Sequence, residues 1–118
     1  MAEKTANILA DWNAEILRYS WLAMANGDTG AAIELGNYQD RTIQITGTFG
    51  TGGSVSLQGS NDGGTTWVTL TDQAGSALTF TSAGLRQVLQ LTQKVRLTVT
   101  AGDGTTSLNA YMFMRKDA

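Results

Sequence analysis

The chain has 118 residues, of which only 15% are charged, and its net charge is −2. That length suits one domain burying about two-thirds of its chain surface, and the weak charge offers nothing to nucleic acid or to an anionic membrane. Without cysteine there are no disulfides or thiolate metal sites, and without histidine the commonest general base, zinc ligand and pH switch are gone. No apolar run approaches the roughly 20 residues of a membrane span, and no charged-then-apolar leader opens the sequence. A soluble protein made in the cytoplasm is therefore expected. Proline is absent as well, so exposed strand edges must be guarded by bulges, charges or assembly.

Residues 1–19 carry their own pattern. Ile8, Leu9, Trp12, Ile16, Leu17 and Tyr19 fall near a spacing of four, with Asp11, Asn13 and Glu15 between them, which predicts one face of a short helix. A helix of about 12 residues is marginal alone. It is either a docking arm whose apolar side meets a partner or a helix folded back on its own sheet. This divides the chain into an N-terminal arm or short helix over 1–19 and a β-domain over 20–118.

From Ser20 the period becomes two. Residues 21–24 predict a short strand, Asn26-Gly27-Asp28-Thr29-Gly30 a turn, and Ala31, Ile33 and Leu35 a second strand. In 41–47, Ile43 and Ile45 point inward while Thr42, Gln44 and Thr46 point outward. Then comes the best-specified stretch of the chain. Val55 and Leu57 alternate with Ser54, Ser56 and Gln58, and Val68 and Leu70 alternate with Trp67, Thr69 and Thr71. Between these arms, Asn61-Asp62-Gly63-Gly64 supplies the positive φ and side-chain oxygens of a hairpin turn. A short strand at 77–81 follows, then 87–91, which reads as apolar on both faces through Val88, Leu89 and Leu91 and so as covered on each side. Residues 94–100 alternate most cleanly, with Val95, Leu97 and Val99 inward. Gly102-Asp103-Gly104 gives a hairpin signal, and 107–115 forms the last strand. There Leu108, Ala110, Met112 and Met114 face the core. Tyr111 and Phe113 face the other way, which suggests that the N-terminal segment or a second chain covers them. The total is about eight or nine short strands, an all-β, two-sheet antiparallel sandwich of jelly-roll type.

Candidate chemistry is sparse. Asp28, Asp62 and Asp103 sit in glycine-rich turns, where aspartate caps backbone N–H groups. Asn61-Asp62-Gly63-Gly64 lacks the serial ligands and closing glutamate of a calcium loop, and Gly50-Thr51-Gly52-Gly53 lacks the Lys-Ser and helix of a phosphate loop. Arg41, Arg86, Lys94 and Arg96 form at most a small basic patch on outward faces. No catalytic, cofactor or metal residue is assigned, and no enzyme is expected.

Resemblances to known families add to this. Ser60-x-Asp62-x-Gly64-x-Thr66-Trp67 is similar to the Asp-box, a hairpin motif of sialidase-type propellers and other β-proteins. In that motif Ser and Asp bond the turn backbone and the aromatic packs beneath, so the resemblance implies a structural turn. The motif occurs once, which does not support a propeller of repeated blades. More broadly, Tyr38-Gln39-Asp40-Arg41-Thr42-Ile43-Gln44-Ile45-Thr46-Gly47-Thr48-Phe49-Gly50, the hairpin, Leu70-Thr71-Asp72-Gln73-Ala74-Gly75-Ser76-Ala77-Leu78-Thr79-Phe80-Thr81 and Val95-Arg96-Leu97-Thr98-Val99-Thr100-Ala101-Gly102-Asp103-Gly104-Thr105-Thr106 resemble small virion proteins of tailed bacteriophages. The resemblance spans roughly residues 20–115.

It implies a capsid decoration or cement protein on the outside of the head, bridging units of the major capsid protein as a homodimer or homotrimer. Ile8, Leu9, Trp12 and Ile16 are then the expected contacts, with Tyr111 and Phe113 second. Neither nucleic acid nor membrane is an expected partner. A carbohydrate-binding module is the alternative, because Leu57-Gln58-Gly59-Ser60-Asn61-Asp62-Gly63-Gly64-Thr65-Thr66-Trp67 also resembles discoidin-like sandwiches. Trp67, Phe49 and Tyr38 are its only candidate aromatics. A tail, collar or fibre-attachment protein is a third reading.

Overall fold

Most of the period-two segments become strands, and the strands stack as two sheets. The computed structural model describes residues 3–4, 6–10, 16–34 and 38–115, with side chains for 16–34 and 38–115. Among these residues the strands in chain order are β1 Glu3–Lys4, β2 Ala6–Ala10, β3 Ile16–Met24, β4 Thr29–Gly30, β5 Gln39–Thr48 and β6 Ser54–Ser60, then β7 Val68–Thr69, β8 Thr79–Phe80, β9 Gly84–Gln87, β10 Lys94–Ala101 and β11 Ser107–Arg115.

One sheet runs β1-β4-β10-β6-β7, with β8 also pairing β6; the other runs β2-β3-β11-β5-β9. All pairings are antiparallel except the two-residue contact of β1 with β4. From β3 to β6, and again from β8 to β11, each connection changes sheet. That alternation, with β7 and β8 as two pieces of a single edge strand, is the jelly roll. Leu57 is where those pieces meet: its N–H donates to Leu78 O, and its carbonyl accepts from Leu70 N–H. The chain between them loops out through an isolated Thr71–Ala77 bridge.

The core lies between the layers. Val55, Leu57, Val95, Leu97 and Val99 from one sheet meet Trp21, Ile43, Ile45, Leu108, Met112 and Met114 from the other, all buried. Trp21 is fully enclosed, with its indole N–H donating to Ala31 O at 3.0 Å and its ring stacked on Tyr19 at 6.2 Å.

Several expectations are corrected. No helix occurs among the described residues. Leu17, Tyr19 and Trp21 point inward while Arg18, Ser20 and Leu22 lie on the other face, so the alternation already begins at Ile16. Of the residues read as one helix face, Ile8 and Leu9 lie in β2 and Ile16, Leu17 and Tyr19 in β3, and β3 runs across the boundary drawn between 19 and 20. Trp12 lies outside the described residues, as does Leu35 of the expected second strand; only Ile33 bridges there, to Val95.

Gly102-Asp103-Gly104 does not close a hairpin, because β10 and β11 belong to different sheets. Asp103 accepts from Thr51 N–H, and the Thr106 hydroxyl donates to Phe49 O, tying this crossover to the β5–β6 loop. The segment expected at 87–91 as a doubly covered strand ends at Gln87. Leu89 and Leu91 are about half exposed, and only Val88 turns into the core. Val68 is likewise outside, because β7 is two residues long and only Leu70 reaches the interior.

Candidate interaction surface

The outward positions of β3, β11, β5 and β9 form one continuous face. Register places Tyr111 opposite Ser20 on one side and Gln44 on the other, with Leu85 beyond Gln44. The next row sets Phe113 between Arg18 and Thr42, and the row after it sets Arg115 beside Ile16. Three side chains decide the character of the face: Phe113 is 46% exposed, Leu22 40% and Leu85 61%. Tyr111 is half-buried because the Arg18 guanidinium lies 5.3 Å above its ring. At one corner Arg115 is ion-paired with Asp40. The result is an aromatic and aliphatic centre with arginine at its border, the composition of a protein-contacting patch.

Ile16, Tyr111 and Phe113 are therefore brought onto one face. Ile8 and Leu9 belong to β2, whose backbone pairs with β3 through Ile8–Tyr19 and Leu9–Arg18. Leu22 and Leu85 were missed by sequence reasoning. Leu22 carried a usable signal, being out of phase with Trp21 and so necessarily outward. Leu85 carried none, since β9 is only four residues long.

The turn after β6 is held by its own side chains. The Ser60 hydroxyl donates to Asp62 Oδ1 at 2.7 Å and accepts from Gly64 N–H, while Asp62 Oδ1 also accepts from Thr65 and Thr66 N–H. Gly63 and Gly64 have φ of 79° and 93°, which side-chain-bearing residues rarely adopt. The Thr66 N–H, followed by the Ser60 hydroxyl, holds the Asp62 carboxyl at about 2. Trp67 donates its indole N–H to Gly64 O at 3.0 Å, and the Arg96 guanidinium lies 4.3 Å over its ring. Asp103 is held further below the ordinary carboxylate range, first by the Thr105 hydroxyl and then by Thr51 N–H. Both carboxylates are thus spent on turn backbone, and among the described residues no three acidic groups converge on a metal position.

Of the four basic residues that could form a small patch, three are engaged within the chain. Arg41 is 2% exposed and donates Nε to Tyr38 O, and burial lowers its pKa. Arg86 clasps Asp72, and Arg96 bonds Gln58 while covering Trp67. A cavity of about 460 Å³ opens beside the turn, floored by Gly59 and Leu70 and walled by Asp62, Val68, Gln90 and Thr92.

Fold and surface together define a two-sheet jelly-roll protein with an apolar outer face on its five-stranded layer. No family model matches the chain, and no curated protein matches it. Among solved structures it is similar to the crystal structure of the SPBc2 prophage-derived protein YomS, with a TM-score of 0.63 and 14% identity over 92% of this chain and 98% of that one. At that identity the likeness establishes the shared fold.

Proposed function

We propose that this chain is a virion structural protein of a tailed phage, and more specifically a decoration protein that binds the outside of the head. The observation that carries the reading is the apolar patch of exposed Phe113, Leu22 and Leu85 with half-buried Tyr111 on the outer face of the five-stranded sheet. Aromatic side chains ringed by arginine are the groups that dominate protein–protein contacts. The prophage origin of the structural neighbour supports the phage assignment. So does the spread of virion-like segments along the sequence.

Mechanistically, the outer sheet lies against the major capsid protein, and binding that favours the mature shell stabilises it by mass action. Several copies gripping adjacent subunits gain effective concentration, so each contact need only be modest. The hairpin tryptophan does not favour the carbohydrate alternative. Its N–H is already used by Gly64, and the Arg96 guanidinium occupies a ring face on which a sugar would stack.

The test adds purified protein to heads of the phage that encodes it and locates it by cryo-EM. Density on the outer head surface is expected, with the β3–β11–β5 face inward. A Phe113→Ser, Tyr111→Ser double variant should stay folded and lose about tenfold or more in occupancy. Unchanged occupancy, or density confined to the tail, refutes the proposal.

A further inference from the structure

We propose that β9 is an open edge that pairs with β9 of a second copy, joining two five-stranded layers into one continuous sheet about a two-fold axis. Val88 N–H donates to Arg41 O, and the register pairs Arg86 with Ile43 and Gly84 with Ile45. In an antiparallel ladder bonded and non-bonded pairs alternate. Arg86 and Gly84 therefore turn their backbone groups toward β5, whereas Leu85 and Gln87 turn theirs away from it. Among the described residues nothing bonds the Leu85 or Gln87 N–H. Gly84, Leu85 and Gln87 are exposed.

The chain has no proline and β9 has no bulge; its guards are its four-residue length and one inward-turned charge, Arg86 on Asp72 and the Phe80 ring, and neither covers the Leu85 N–H. By contrast, the neighbouring edge of the other sheet is closed. Leu89 N–H donates to Thr71 O, and the Gln90 amide both donates to the Thr71 hydroxyl and accepts from Thr71 N–H.

The sequence of β9 also selects its partner. Three symmetric registers use the outward-pointing groups. A two-fold through Arg86 sets two long Arg86 side chains directly opposite each other, each already committed to its own Asp72 and Phe80 ring, so the pair would have to crowd or break those contacts. A two-fold through Gln87 needs the Leu89 N–H, which Thr71 already holds. A two-fold through Leu85 sets Leu85 against the partner's Leu85 and Arg86 against the partner's Gly84, which offers neither charge nor bulk. That register exchanges both hydrogen bonds of the Leu85 pair and buries the most exposed leucine among the described residues. A second copy thus satisfies the edge that this chain leaves open, independently of what the outer face binds.

The full chain is tested by sedimentation equilibrium and by crosslinking. The wild type should show twice the 12.5 kDa chain mass at micromolar concentration. Leu85→Pro removes only an N–H that points away from β5, so it should leave the circular dichroism spectrum unchanged and give the monomer mass. Leu85→Arg, which places two charges on the axis, should do the same and guards against a folding defect of the proline variant. The chain has no native cysteine. Opposed bonded residues have Cα atoms about 5.5 Å apart, within disulfide range, so Leu85→Cys should oxidise to a covalent dimer about tenfold faster than Ala74→Cys in an exposed turn. A monomeric wild type, a dimer that survives both Leu85 variants, or equal crosslinking of the two cysteines overturns the proposal.

Discussion

Gly30→Ala tests whether the sandwich is centred on Trp21. A Cβ at position 30 falls 2.4 Å from Trp21 Cδ1 and 2.7 Å from Nε1, well inside the roughly 3.5 Å of normal contact. The ring has nowhere to go: it is 0% exposed, stacked on Tyr19, and held by its N–H to Ala31 O. Overpacking of this kind costs about 1–3 kcal/mol. If the indole moves far enough to lose its acceptor, an unsatisfied buried donor adds about 1–3 kcal/mol. An intermediate loss of about 3 kcal/mol lowers the Tm by roughly 10–15 °C for a chain of this length. The assay is thermal and urea unfolding, followed by circular dichroism and by tryptophan fluorescence. Gly104→Ala is the control, because nothing lies within 4 Å of its added Cβ and its φ is not positive; it should stay within about 0.5 kcal/mol of wild type. In a Trp21→Phe background the cost of Gly30→Ala should shrink, since the smaller ring leaves room, and the cycle measures that coupling directly. If Gly30→Ala unfolds within about 0.5 kcal/mol of wild type, β4 does not lie against Trp21 and the packing described is mistaken.

Three further outcomes follow from the turns and the surface. Asp62 is held at about 2 against an ordinary value of 3.8, so the stability it contributes is complete above pH about 4 and is lost as pH falls toward 2. Tm measured across that interval should fall less steeply in Asp62→Asn than in wild type, and equal slopes would contradict the hydrogen bonds assigned to Asp62. Trp67→Ala removes the indole bond to Gly64 and the platform under Arg96, with an expected loss of about 1–2 kcal/mol in urea unfolding. Phe113→Ser alone should leave unfolding within about 0.5 kcal/mol of wild type while weakening head binding, because nearly half of its surface is already in water.

The sequence made the long strands legible and the short ones opaque, for a physical reason. β5, β10 and β11 each bury one face over eight or more residues, so alternation has room to show. β4, β7 and β8 are two residues each, placed by neighbours rather than by pattern. The N-terminal segment misled because Ile8 and Leu9 lie in β2 while Ile16, Leu17 and Tyr19 lie in β3, and the sum of two period-two stretches imitates a spacing of four. The hairpin turn was legible to the residue, since Ser60, Asp62 and Gly64 act through local bonds that the sequence alone encodes. Arg41 was not: only the tertiary fold shows that its guanidinium runs inward beside Tyr38.

Edge protection links the fold to the assembly proposed for it. A sandwich leaves sheet edges open, and a chain without proline has fewer ways to blunt them. Here the gap between β7 and β9 is bridged by Arg86 on Asp72, with the guanidinium 5.4 Å over the Phe80 ring, and by Leu89 and Gln90 on Thr71. Those contacts consume the inner side of β9 and the edge of the opposite sheet, and leave the outer edge of β9 facing water. Tyr111 and Leu85 lie in one cross-strand row, with only Gln44 between them. An antiparallel pair keeps outward side chains on the same side of the joined sheet. Pairing through β9 would therefore place two Tyr111–Phe113 patches on one surface and double the apolar area facing a neighbour. A monomer that docks through one patch must bind tightly on its own, whereas a dimer gains from two weak contacts made together. If the Leu85→Pro monomer bound heads as well as the wild type does, the edge and the face would be unconnected features of the same molecule.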